Sequence, residues 1–105
     1  MKLFTSKKKL QKEIKNINNI SFVPTMGALH KGHKSLIKKS VRESRETIVS
    51  IFINPKQFEN KSDFKNYPKS YKRDIKILKK LKVKYLYKPT YSDIYKFKTK
   101  NQIFL

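Results

Sequence analysis

An α/β fold built on a parallel sheet is the class this sequence predicts, on three observations. Short β-prone runs alternate with segments of helical periodicity. The stretches between those runs are long enough to serve as crossovers between parallel neighbours. One run, "TIVSIFI" over residues 47–53, is apolar without alternation, as a strand covered on both faces is. The 105 residues are expected to form one domain spanning 1–105.

The elements follow in order. Residues 2–5 form a short strand, and Ser6 is placed to cap a helix whose Leu10, Ile14 and Ile17 share one face. Asn16, Asn18 and Asn19 interrupt it. Residues 20–23 are β-prone and deliver the chain through Pro24 into a turn over 25–32. From His33 to Ser44 the apolar Leu36, Ile37 and Val41, with small Ser40, suit a helix packed on a sheet. The strand at 47–53 is closed by Asn54-Pro55. Residues 56–68 are polar and read as a long surface loop. Ser70 is placed to cap a helix through Leu81, with Tyr71, Ile75, Leu78 and Leu81 as its buried stripe. Residues 83–87 form a further strand stopped by Pro89, Asp93 to Tyr95 begin another helical turn, and the segment after them carries no clear pattern.

The net charge of +20 suggests an anionic partner. The charge is almost wholly lysine, with arginine only at Arg42, Arg45 and Arg73, and it is spread through every segment among many Ile and Asn. Base-edge recognition and bidentate phosphate clamps favour arginine gathered on one face. Compositional drift therefore accounts for the charge better than a specific nucleic-acid site. Without cysteine there is neither a disulfide framework nor a thiolate metal site. No apolar run has the length of a membrane span, so no membrane is expected and a cytoplasmic location is.

Both histidines and both glycines lie between Gly27 and His33, in "FVPTMGALHKGH". Glycine permits a positive φ or a close approach by a ligand, and this holds for Gly27 and for Gly32 at the helix entrance. His30 and His33 flank that entrance, where free amides and the helix dipole favour an anion such as phosphate. A neutral imidazole offers one N–H donor and an imidazolium two, so the pair can follow charge as it moves onto a leaving pyrophosphate. Spacing alone leaves chance proximity open. In an α/β sheet the turn after Val23 and the loop after Ile53, both at strand carboxyl ends, should border one crevice.

His30-Lys31-Gly32-His33 resembles the HxGH motif of nucleotidyl-transferring α/β enzymes. With Val23-Pro24-Thr25-Met26-Gly27-Ala28-Leu29, then Ser50-Ile51-Phe52-Ile53-Asn54-Pro55-Lys56-Gln57-Phe58, then Asp63, Tyr67-Pro68-Lys69-Ser70 and Asp74, it is similar to the pantothenate synthetase (pantoate-beta-alanine ligase) family, in that family's order and approximate spacing. The resemblance covers the chain from Met1 to about Tyr95 and implies a Rossmann-like parallel sheet of the HxGH nucleotidyltransferase type, incomplete here.

What the resemblance implies for function is ATP-dependent ligation of pantoate and β-alanine to pantothenate through a pantoyl adenylate, with Mg²⁺. His30 and His33 would hold the ATP phosphates and stabilise developing charge. Pro24, Thr25, Met26 and Gly32 would line the nucleotide site, and Met26 would also face pantoate. Gln57 would bind pantoate's oxygens, Asn54 would shape that turn and touch β-alanine or the adenylate, and Asp74 would lie near the Mg²⁺-bound phosphates. By its own position Asp74 is equally a first-turn aspartate favoured by the helix dipole. Family chains are more than twice as long, so the C-terminal lid domain and a later lysine-bearing region are expected to be absent and the chain inactive by itself. A homodimer, or a separate chain supplying the missing half, is the expected partner. Two other readings stand beside this one: a small basic nucleic-acid-binding module, with its tyrosines as stacking groups, and a different HxGH nucleotidyltransferase that needs no Gln57.

Overall fold

The computed structural model describes residues 1–44, 46–52 and 61–90; for 61–69 it describes the helix and not the side chains. The order is β1 (Lys2–Phe4), α1 (Lys7–Ile14), β2 (Ile20–Thr25), α2 (Lys31–Glu43), β3 (Glu46–Ile51), α3 (Lys61–Lys80) and β4 (Tyr85–Tyr87). The strands form one four-stranded sheet in the order β1-β4-β3-β2, and every pairing is parallel. The expected α/β parallel architecture is therefore what the chain adopts.

Each strand's pattern explains its place. In β3, Val49 and Ile51 face one side and Ile48 the other, and all three are buried, which is why its sequence reads as an unbroken apolar run. On the first side the sheet packs against α2 and α3 through Val23, Ile37, Val49, Ile51, Leu78, Val83 and Leu86. On the second side Leu10 of α1 meets Ile48, Tyr85 and Tyr87, with Ile14, Ile17 and Ile20 beside them. Pro24 cannot donate to a ladder, and it sits in β2, an edge strand among the described residues. Phe22 shares the α1 side with its register partner Ile48 but remains 44% exposed, because the short α1 does not reach over it.

The helix ends follow from local chemistry. Ser6 Oγ accepts the N–H of Lys9, the cap expected from the sequence. The end of α3 is a Schellman turn in which Val83 N–H donates to Leu78 O and Lys82 N–H to Lys79 O. Lys82 occupies the left-handed position that glycine usually takes, with φ 63°. Asn19, at φ 61°, makes the turn into β2 with a residue type that tolerates that region.

Two expectations are corrected. The polar segment expected as a loop over 56–68 is helical from Lys61 onward, so Ser70 lies inside α3 rather than at its cap. Pro68 hid this helix in the sequence, because it removes one backbone donor and ordinarily marks a break. The helix after the histidine turn begins at Lys31, two residues earlier than expected from its apolar pattern alone, for a reason that belongs to the site below. Asn54, Gln57 and the expected turn at Asp93 to Tyr95 lie outside the described residues, as does the side chain of Asp63.

Candidate functional site

The parallel pairing of β2 with β3 brings their carboxyl ends together, Thr25 opposite Ile51. The ladder continues one step further, with Phe52 N–H donating to Thr25 O at 3.0 Å. The turn after β2 and the chain leaving β3 thus start side by side, as expected of a shared crevice. Thr25 is buried and fastens this corner: its Oγ1 donates to Ser50 O at 2.9 Å and accepts the N–H of Gly27 at 3.2 Å. Pro24 and Met26 alternate with it and face outward, Met26 being 64% exposed.

Beyond Thr25 the chain reverses through two left-handed residues, Gly27 at φ 84° and Ala28 at φ 51°. Gly27 meets its expected requirement for a positive φ. Ala28 holds the same region without the freedom glycine has, at a cost of about 1–2 kcal/mol. What offsets that cost is Asp74 of α3. Its Oδ2 accepts the N–H of Ala28 at 2.8 Å and its Oδ1 the N–H of Leu29 at 2.9 Å. Arg73 Nη2 donates to Leu29 O at 3.4 Å, and the Leu29 side chain is buried in the core shared with α2 and α3.

The chain then enters α2 through its two histidines. His30 is the N-cap, in extended backbone, and its Nδ1 accepts the N–H of Gly32 at 3.1 Å. His33 Nδ1 in turn accepts the N–H of His30 at 3.2 Å, completing a reciprocal capping box built from two imidazoles in place of a hydroxyl and a carboxylate. This cap lets α2 start at Lys31. The rings lie 4.1 Å apart between centroids, tilted by 49°.

Two consequences follow for chemistry. Because both Nδ1 atoms accept, each neutral imidazole carries its proton on Nε2, and that N–H is the donor left for a ligand. Burial of His33, helped by the neighbouring His30, lowers its pKa from the usual 6.5, while Asp74 opposes this more weakly. The first turn of α2 contains no acidic residue to fill its positive end. Gly32 is explained by the same arrangement. It lies in the helix and is not a positive-φ glycine. A Cβ there would sit 3.0 Å from His30 Cε1 and 3.3 Å from its Nδ1. The close approach expected at this glycine is thus made by the cap's own ring.

Asp74 is where the structure adds most to the sequence reading. It is 1% exposed, and both its oxygens are engaged by backbone amides. The partners this structure gives the carboxylate are the two amides of the signature loop. Among the described residues no group of three or more His, Cys, Asp or Glu is gathered to hold a metal ion. What sequence reasoning missed is Asp74's place on the buried stripe of α3, between Tyr71 and Leu78. An acidic residue in an apolar stripe signals a buried polar partner, here the signature loop.

A Rossmann-like parallel sheet with an imidazole-capped helix after its second strand defines the class as α/β proteins of the HxGH type. A family model described as pantoate-beta-alanine ligase matches residues 2–104, and the chain belongs to that family. It is similar to the pantothenate synthetase of Francisella tularensis subsp. novicida, 55% identical over 76 residues that make up 72% of this chain and 29% of the relative. It is also similar to that of Flavobacterium psychrophilum, 50% identical over 86 residues, 81% of this chain and 30% of the relative. Among solved structures, the Francisella tularensis pantoate-beta-alanine ligase complexed with β,γ-ATP and β-alanine superposes with a TM-score of 0.74 at 44% identity, over 91% of this chain and 38% of that one. The Thermus thermophilus pantothenate synthetase superposes with a TM-score of 0.72 at 33% identity, over 90% of this chain and 34% of that one. The chain thus spans about 30% of the length of the curated relatives it matches. Among the described residues no helix is long and apolar enough to cross a membrane.

Proposed function

We propose that these residues supply the ATP-phosphate and pantoate-facing part of a site that ligates pantoate to β-alanine in pantothenate biosynthesis. The single observation that carries this reading is the reciprocal cap, which occupies both Nδ1 atoms and so leaves the two Nε2–H groups as donors at the N-terminus of α2, in a chain of the pantoate-beta-alanine ligase family. In the reaction a pantoate carboxylate oxygen attacks the α-phosphorus of ATP, and the bond to the bridging oxygen breaks to release pyrophosphate. The amine of β-alanine then attacks the acyl carbon of the pantoyl adenylate and displaces AMP. His30 and His33 donate to phosphate oxygens as charge grows on the departing pyrophosphate, a task of fixed donors and not of a covalent nucleophile.

Pro24, Thr25 and Met26 form the wall at the strand end, and Gly32 keeps the ring of His30 in place. Gln57 and Asn54 are assigned to pantoate and to its turn on the motif alone. Asp74 is assigned to the loop and not to Mg²⁺, so no step is routed through a metal here. A site that adenylates a carboxylate must exclude water, and these residues are under a third of the relatives' length. The reading therefore places ligand binding in them and the complete reaction in a larger site.

Titration calorimetry with ATP, pantoate and single-stranded DNA at rising salt tests this, using the parent chain, His33→Ala and Gln57→Ala. Saturable pantoate binding lost in Gln57→Ala and ATP binding lost in His33→Ala support it. Binding of all anions that collapses with salt and ignores both substitutions would mean a nonspecific polycation instead.

A further inference from the structure

We propose that Asp74 is the positioning residue of the histidine site, acting through the amides of Ala28 and Leu29 to fix the geometry of His30 and His33. The inference rests on the reading of α2's N-terminus as a phosphate site, and it assigns Asp74 a role distinct from catalysis. Asp74 touches neither imidazole ring through a hydrogen bond; it touches the two residues immediately before them.

The geometry argues for positioning over ordinary core filling. A carboxylate buried to 1% exposure is tolerated only where its charge is met by donors, and here both donors are consecutive backbone amides of a single turn. The turn needs such a hold, because Ala28 stands at φ 51° without a glycine's freedom. Arg73, the preceding residue of α3, grips the carbonyl of Leu29, so one helix holds both the N–H and the carbonyl of that residue. The next residue is His30, whose extended backbone and own N–H complete the cap to His33. If the Ala28–Leu29 segment rotates, His30 N–H no longer points at His33 Nδ1, and the Nε2–H tautomer of His33 loses what specifies it. The same carboxylate explains why the sequence places an acid on the apolar stripe of α3.

The test compares the parent chain with Asp74→Asn, which keeps the shape but must turn an NH₂ toward one of the two amides. Imidazole ¹⁵N resonances, recorded without ligand, should report bare Nδ1 and protonated Nε2 at both histidines in the parent and averaged tautomers in Asp74→Asn. Methyl resonances of Val49 and Ile51 should stay in place. Inorganic pyrophosphate should bind the variant about tenfold more weakly or worse. Unchanged histidine tautomers in a folded Asp74→Asn would overturn the proposal. Failure of the parent to bind pyrophosphate would instead count against the phosphate-site reading, while the tautomer comparison still decides the role of Asp74. Should Asp74→Asn not fold, hydrogen exchange in the parent decides: the amides of Ala28 and Leu29 should exchange as slowly as those of β3, and fast exchange at both sinks the idea.

Discussion

His30 and His33 are tied to each other through the backbone: the N–H of His30 donates to Nδ1 of His33 at 3.2 Å, and His30's own Nδ1 takes the N–H of Gly32. A proton on either Nδ1 would set donor against donor, so the cap exists only with both atoms bare.

The first prediction is therefore a pH dependence. The folded pKa of His33 lies below the usual 6.5, so the unfolded chain binds its proton more readily. By linkage the stabilisation from this group is complete above about pH 6.5 and is lost as pH falls from there through the folded pKa. Urea midpoints measured from about pH 8 down to about pH 5 should drop, and His33→Ala should flatten the drop. Equal slopes in parent and variant would contradict the account.

Gly32→Ala separates stability from binding. Alanine is favoured over glycine in a helix by up to about 1 kcal/mol, less in the first turn where Gly32 lies, while loss of an N-cap costs about 1 kcal/mol. The new Cβ, 3.0 Å from His30 Cε1, forces that ring to shift and loosens the cap, so thermal stability should change by under about 1 kcal/mol while pyrophosphate affinity falls by up to about tenfold. Melting curves beside calorimetry give both numbers.

Thr25→Val keeps the shape of the side chain and removes the bridge between Ser50 O and Gly27 N–H. Leaving buried backbone groups short of a partner should cost about 1–3 kcal/mol, read from denaturant unfolding.

Lys82→Gly should stabilise the chain by about 1 kcal/mol, since the Schellman position at φ 63° suits glycine and strains lysine. For a domain of this size that is a rise of roughly 4–8 °C in Tm. No rise on a melting curve would mean that the strain is absorbed elsewhere.

Leu78→Ala should be far costlier. Leu78 is fully buried where α3 meets the sheet, and such truncations cost about 2–5 kcal/mol. Against the marginal stability usual for small domains, the variant should be largely unfolded by near-ultraviolet circular dichroism.

The parts of the molecule governed by local pattern were legible in the sequence. The alternation and apolar runs of β2 and β3, the Ser6 cap and the Ile37 and Val41 part of the apolar face of α2 all express themselves within a few neighbouring residues, whereas Leu36, expected on that face, is 54% exposed. The helix entrance beside His30 and His33 was legible for the same reason. What escaped was non-local or atypical. The clamp from Asp74 to Ala28 joins residues 46 apart. The first half of α3 runs through Pro68, which local reasoning treats as a stop. Gly32 was correctly marked as a close-approach position, but the approaching group was assigned to a ligand when it is the ring two residues earlier.

The hold of α3 on the signature turn also bears on the order of events during synthesis. A ribosome adds Ala28 and Leu29 long before Asp74 leaves the exit tunnel, and contacts of such sequence separation form late because loop closure precedes their reward. We expect β2, α2 and β3 to assemble first around a turn still searching its conformations, with the histidine pair locking only when α3 docks. Pulse-labelling of amides during refolding should show Ala28 and Leu29 gaining protection after Val49, and simultaneous protection would refute that sequence.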